Sequence, residues 1–404
     1  MTIQLTWPKI LAWRLRRQFV SAADGSDAVA IARRLCGVQT QVASSAQLAV
    51  AVRSARPDPG GIGRALWEER TLVKTWIMRG TLHLLPADEL ADYCAVLATL
   101  RTWEKGSWQR GHGVTAAEIA AIIEAVPEAL RTSRAASPAL TRDASPDPAL
   151  TPDASPDPAL TPDASPSPAL TREELVEAVV EVTGDEHLRA ALTSGWGALL
   201  KPLARLGELC YGPPRDGRVT FTAPRGWLPG WPSELPPYEE AGVRLARAFL
   251  GAHGPATPEM FDTWLFGGVA RKAVLKGWFR DLAPELTEVE TDDGHTLLAL
   301  TEQLDELAAT EPSEEVHLLP GFDQYILAAP RTLTPLLPAA AKPKVSRQAG
   351  WISPVIVHRG RVAGVWEAKN GRITTDLFEP VPESLLDDAL SRVRPLLTTT
   401  PPEN

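Results

Sequence analysis

Residues 209–224 read LCYGPPRDGRVTFTAP. Two β-rich runs flank Pro213-Pro214-Arg215-Asp216-Gly217. Asp-Gly is a strong hairpin signal, because both central positions of a tight two-residue turn need positive φ. The stretch predicts a β-hairpin turning at Asp216-Gly217. Upstream, apolar residues recur at helical spacing over 115–131, 171–183 and 194–205. Three helices followed by a hairpin describe a winged-helix unit.

The same order appears twice more. Helical spacing over 10–22, 27–36 and 44–55 precedes LVKTWIMRGTLHLL (72–85), read as strands around Arg79-Gly80. Helices expected at 238–252, 257–265 and 268–279, with Thr257 as N-cap and Pro258 at N1, precede LTEVETDDGHTLLALT (286–301), which turns at Asp293-Gly294. The remainder, VHLLPGFDQYILAAP (316–330) and GWISPVIVHRGRVAGVWEAKNGRITTDLF (350–378), alternates apolar and polar residues with Gly turns, as a small β-barrel would. The fold class read from this is α+β: three tandem winged-helix units at 1–110, 111–232 and 233–310, then a C-terminal β-barrel at 311–404.

One segment breaks the pattern. ALTRDASPDP, ALTPDASPDP and ALTPDASPSP begin at Ala139, Ala149 and Ala159. A solenoid needs a buried face in every repeat, and a single Leu per ten residues cannot supply one. Residues 133–170 therefore read as a disordered, Pro-rich linker with no chemistry.

The 404 residues are 44% hydrophobic and 23% charged, ordinary values for a water-soluble globular chain of several domains. Cys36, Cys94 and Cys210 are widely spaced and form no CxxC, which points to a reducing cytoplasm and away from structural zinc. His112, His187, His253, His295, His317 and His358 show no ligand spacing, so neither metal nor cofactor is expected. No apolar run reaches the roughly 18 residues of a membrane span. The net charge of −9 is unevenly distributed: residues 1–110 hold 15 Lys and Arg against 9 Asp and Glu, and the rest holds 26 against 41. A basic N-terminal third suits a phosphate-bearing partner.

The candidate chemistry lies in GVQTQVASSAQ (37–47). Gly37 suits the C′ position of the preceding helix, and Ser44-Ser45-Ala46-Gln47 matches a capping box for the next. Val38 to Ala43 then form a short extended connector on which Gln39 and Gln41 project to one side. Two such amides offer N–H donors and carbonyl acceptors that can hold a water or a polar ligand, but neither removes a proton outright. Polar side chains of an ordinary exposed loop would read the same way.

Together, LCGVQTQVASSAQLAVAVR (35–53), TWIMRGTLHLLPADEL (75–90), HLLPGFDQYILA (317–328) and VIVHRGRVAGVW (355–366) resemble the bacterial AlkZ/YcaQ family of DNA glycosylases. The resemblance covers nearly the whole chain outside the repeat. It implies tandem winged helices and a C-terminal β-barrel curved around DNA, with a Gln-Φ-Gln motif in the first unit. Here that motif falls on Gln39 and Gln41, with Thr40 in the place of the apolar residue. The implied reaction is monofunctional hydrolysis of the N-glycosidic bond of N7-alkylguanine, interstrand crosslinks included. The implied partner is double-stranded DNA carrying alkylated or crosslinked guanine. The implied setting is self-resistance to a DNA-alkylating natural product, in a monomeric, cytoplasmic protein that joins the nucleoid when bound to DNA.

Candidate DNA contacts follow. Arg14, Arg16 and Arg17 form a basic face on the first helix, suited to phosphates or simply to solvent. Arg79 and His83 either line the DNA channel or hold the structure, with His83 bonded to backbone. Arg215 and Arg218 flank the second hairpin turn. Lys342, Lys344 and Arg347 sit in AAAKPKVSRQAGW (339–351), read as a basic hairpin like the one the family places at the lesion. Trp103 and Trp108 are core residues or stacking platforms. Asp323 in GFDQY reads as a strand-end carboxylate bracing the barrel, or as an acid. The competing functions are a non-catalytic DNA-binding regulator and a protein that sequesters a drug. Against the regulator, no helix clusters Arg, Asn and Gln for reading base edges.

Overall fold

The computed structural model describes residues 3–132, 169–193 and 197–398; nearly all of the decapeptide repeat lies outside them. The chain opens with β1 (Ile3–Leu5), α1 (Trp7–Arg17), α2 (Ala28–Arg34), β2 (Val38–Gln39) and α3 (Ala43–Ala51). The hairpin expected at 72–85 forms as β3 (Leu72–Trp76) and β4 (Leu82–Pro86). β2 pairs with the other side of β4, giving the antiparallel order β2-β4-β3. Ile31, Leu35, Val38, Leu72 and Leu84 bury the inner faces of α2 and this sheet in one apolar cluster.

A second sheet combines β5 (Leu170–Thr171) with the hairpin β6 (Cys210–Arg215) and β7 (Arg218–Thr222), in the order β5-β7-β6. Its turn is where the Asp-Gly pair placed it: Asp216 and Gly217 take φ of 52° and 73°. The third sheet holds β8 (Leu286–Thr291) and β9 (Thr296–Leu300). Ahead of it, Thr257 caps the helix Pro258–Phe266 by accepting the Met260 N–H at 3.3 Å, with Pro258 in the first turn as expected. The third strand of this sheet is β1, which runs parallel to β8 with Ile3 opposite Val289. The N-terminus is thus sewn into an element almost three hundred residues away, and Trp7, Ile10 and Trp13 share an apolar core with Val289 and Leu297.

The C-terminal sheet corrects the barrel expectation. β10 (Val316–Leu319), β11 (Val355–His358), β12 (Arg361–Lys369) and β13 (Arg372–Leu377) pair antiparallel in that order. Among the described residues β13 does not pair with β10, so the sheet stays open. Its two faces are covered by different partners. Leu319, Val355, Val357 and Val362 pack toward the core around α1, whereas Val316, Leu318, Ile356 and Trp366 pack against Ala389 and Val393 of the C-terminal helix, Glu383–Thr398. No helix among the described residues is long and apolar enough to cross a membrane.

Candidate active site

The connector between α2 and α3 differs in detail from its sequence reading. Cys36, with φ of 56°, takes the left-handed C′ position, and Gly37 is C″. Their N–H groups return to Arg33 and Ala32 carbonyls at 3.1 and 2.8 Å, the paired bonds of a Schellman ending. The capping box at Ser44 does not form: Val42 is the N-cap of α3 and supplies no side-chain bond. Extended backbone therefore runs only from Val38 to Thr40, whose N–H donates to the Leu82 carbonyl at 2.9 Å, and the chain bends at Gln41-Val42. Gln39 is 5% exposed and Thr40 6% exposed, while Gln41 stands in solvent. One amide lies at the edge of a packed sheet and the other at its mouth. Among the described residues, neither side chain makes a hydrogen bond.

Three residues beyond Gln41 the chain enters a groove of about 1180 Å³. Ser44 and Ser45 line one side, from the first turn of α3. Lys344, Arg347 and Trp351 line another, with Trp366 from β12. The expected basic hairpin takes a compound form: a short helix Lys342–Val345, then a loop closed by a bridge between Ser346 and Ile352. Trp351 packs edge-on against Phe322 at 5.0 Å, which anchors the loop beside the groove. Arg394 of the C-terminal helix adds a further cation. The lining is apolar and polar by turns, with the cations Lys344, Arg347, Lys369 and Arg394 outnumbering the carboxylates Glu367 and Asp376, a chemistry suited to an aromatic, anionic ligand.

The other candidates separate by burial. Lys344 and Arg347 reach the groove; Lys344 also contacts Asp376 at 2.6 Å. Lys342 is exposed outside the groove lining, and Arg16 and Arg218 are likewise solvent-facing. Arg17 is half-buried, bonded to the Gly251 carbonyl at 3.2 Å and near Glu306 at 3.6 Å. Arg215 forms an exposed pair with Glu174. Arg14 lies inside the fold, 5% exposed, with its guanidinium donating to the Gly254 and Pro255 carbonyls at 3.1 and 2.8 Å. Burial lowers its pKa to about 10. Arg79 occupies the β3–β4 turn and donates to the Trp264 carbonyl; burial and the nearby Arg331 bring its pKa down to about 10. His83 is fully buried on β4, bonded to the Thr81 carbonyl at 3.0 Å, and burial beside Arg79 depresses its pKa to about 3. Neither Arg14 nor His83 meets the surface. Trp103 is buried, and Trp108 stacks on His112 with centroids 4.0 Å apart.

Asp323 is a brace, but not of a barrel strand: it caps the helix Gln324–Leu327 and ties it to Arg53. Its carboxylate accepts the Arg53 guanidinium at 2.8 and 2.7 Å, with both side chains wholly buried, and it also accepts the Tyr325 N–H at 2.9 Å. Arg53 donates further to the Gln18 and Ala49 carbonyls at 3.0 and 2.9 Å. The pair bolts the end of α3 to the C-terminal unit and so fixes the groove wall carrying Ser44 and Ser45. Nothing in the local sequence around Arg53 distinguishes it from a surface arginine.

The sequence profile of the AlkZ-like DNA glycosylases matches residues 32–394. The chain belongs to the AlkZ-like family of DNA glycosylases. It is thus an enzyme of a family that acts on N-glycosidic bonds in DNA. An interstrand DNA cross-link repair glycosylase of Streptomyces sahachiroi is 39% identical over 376 residues, spanning 93% of this chain and 91% of the relative. The solved structure of Streptomyces sahachiroi DNA glycosylase AlkZ superposes with a TM-score of 0.84 at 36% identity, over 99% of both chains.

Proposed function

We propose that this AlkZ-like glycosylase hydrolyses the N-glycosidic bond of N7-alkylguanine in duplex DNA and unhooks interstrand crosslinks, as part of self-resistance to a genotoxic natural product. One observation carries the reading: the Gln39-x-Gln41 connector leads within three residues to Ser44 and Ser45, which line the groove, in a chain 39% identical to a crosslink-repair glycosylase. N7 alkylation makes guanine cationic, so its glycosidic bond breaks without strong protonation of the leaving base. What remains is to hold a water at the anomeric carbon and to stabilise oxocarbenium character, work of proximity and electrostatics. Gln39 and Gln41 position that water and hold the sugar–phosphate. Neither amide ionises, so neither is a general base.

The open groove accommodates a bulky adduct that a closed base-flipping pocket would exclude. Lys344 and Arg347 engage phosphate or the adduct at its rim, with Lys342 beside them; Arg16, Arg17, Arg215 and Arg218 supply outlying phosphate contacts. The three helix-plus-sheet units act as tandem winged helices, with bounds near 110, 232 and 310. The enzyme works as a cytoplasmic monomer on chromosomal DNA. The test is incubation of the purified protein with duplex carrying 7-methylguanine or a defined N7-linked crosslink, followed by detection of abasic sites. Heat-labile abasic sites are the expected product. Tight duplex binding with no base release would overturn the reading.

A further inference from the structure

Gln39, His83 and Thr75 form one row across the three-stranded sheet, in register from β2 through β4 to β3. The hydrogen-bond pattern says which neighbours are closest. Thr40 donates to Leu82, so Thr40–Leu82 is a hydrogen-bonded pair and Gln39–His83 is the alternating non-bonded pair. In such a pair the Cα atoms are only about 4.5 Å apart and the side chains share a face at closest approach. On the other side, Thr75 commits its hydroxyl elsewhere, donating to the Leu209 carbonyl at 3.4 Å.

His83 is held in one tautomer. A carbonyl only accepts, so the 3.0 Å bond to Thr81 places the ring proton on Nδ1 and leaves the lone pair on Nε2. Nε2 is buried and has no partner among the described residues. A buried acceptor without a donor costs about 1–3 kcal/mol, so the site is primed for an N–H. The side chain directly opposite carries two.

We propose that His83 is a positioning residue: its Nε2 accepts one N–H of the Gln39 amide when substrate binds, which turns the Gln39 carbonyl oxygen toward the nucleophilic water. The inference rests on the catalytic reading of Gln39 given above. His83 itself touches neither DNA nor water. No proton changes owner; the histidine contributes a fixed lone pair and loses nothing over the cycle. Arg79 holds the rival donor, since its Nη2 is also buried without a partner.

A double-mutant cycle tests this. His83→Phe keeps a ring and removes the acceptor; His83→Gln restores an acceptor near the same place. In single-turnover excision, His83→Phe is expected to lower the rate about 10- to 100-fold with duplex affinity unchanged, as expected for a misaimed catalytic group. His83→Gln recovers most of the rate, and His83→Phe adds nothing in a Gln39→Ala background. An equal loss in that background, or coupling to Arg79→Met in place of Gln39→Ala, overturns the proposal. Full excision by Gln39→Ala alone overturns the underlying catalytic reading instead. Should His83→Phe fail to fold, the imidazole ¹⁵N spectrum of the wild type decides. Nε2 shifts toward its hydrogen-bonded value on binding abasic-site duplex, and an unmoved signal contradicts the proposal.

Discussion

Two short polar motifs precede helices in this chain, GVQTQ at 37–41 and GFDQY at 321–325, and they are built to opposite ends. The second contains the better acid by residue type. Yet Asp323 is wholly buried, and its oxygens are taken by Arg53 and a backbone N–H. The first offers two amides, and these remain unbonded among the described residues, a few residues before the groove-lining Ser44 and Ser45. Chemical strength and chemical availability are therefore separated in this fold. The carboxylate is spent on holding the groove wall, and the proposed function gives the weaker amides the work at the substrate. That division is workable only if the lesion brings its own leaving-group activation.

The comparison can be broken first at the brace. Asp323→Ala leaves the Arg53 charge buried and unpaired, which should cost about 3–5 kcal/mol of stability by urea titration. Arg53→Met with Asp323→Leu should recover most of that loss. A loss under about 1 kcal/mol for Asp323→Ala would mean that the carboxylate is free for other work.

Acid should come next. His83 and His253 are buried neutral, each with its pKa depressed to about 3 by desolvation. The unfolded chain holds these protons below about pH 6.5, so between that value and pH 3 it binds more protons than the folded state. Stability is then fully present above pH 6.5 and falls with acid, by about 1.4 kcal/mol per pH unit for each ring. Urea midpoints at pH 7 and pH 5 check this. Excision rates should show no limb near pH 6.5 from His83.

The groove side gives smaller effects. Lys344→Ala with Arg347→Ala should weaken duplex binding about tenfold and lower the slope of log affinity against log salt by about 1 to 2. A fluorescence-anisotropy salt series measures both. Arg215→Ala, which removes an exposed pair with Glu174, should change affinity about twofold at most. If Arg215 mattered more than Lys344 and Arg347, the groove would not be the DNA-facing site.

Local features were legible in sequence wherever short-range chemistry decides them. The Asp216-Gly217 turn, the Thr257 cap and the 72–85 hairpin depend on residues within a few positions. The failures were long-range or competitive. The β1–β8 pairing and the Arg53–Asp323 bond join residues roughly 270 to 290 apart, and no local pattern reports them. Ser44 had capping chemistry, but the bend at Gln41-Val42 moves the N-cap of α3 two residues earlier, to Val42. Arg14 had the look of a surface cation until the Gly254-Pro255 carbonyls packed above it. The C-terminal alternation fits a closed sheet and an open one equally, since helices can cover the faces. Within the site, spacing put Gln39 and Gln41 on one side of an extended connector reaching Ala43, whereas the extended run stops at Thr40 and the two differ in burial; the register that sets His83 against Gln39 belongs to the sheet alone.

The most direct test of the account is single-turnover excision from a duplex bearing one N7-guanine interstrand crosslink, comparing the native chain with Gln39→Ala, Gln41→Ala. Loss of strand unhooking and of abasic sites, with duplex affinity within about threefold, is the predicted result, as expected when positioning is lost but binding is kept. Unhooking at the native rate by the double variant would contradict it.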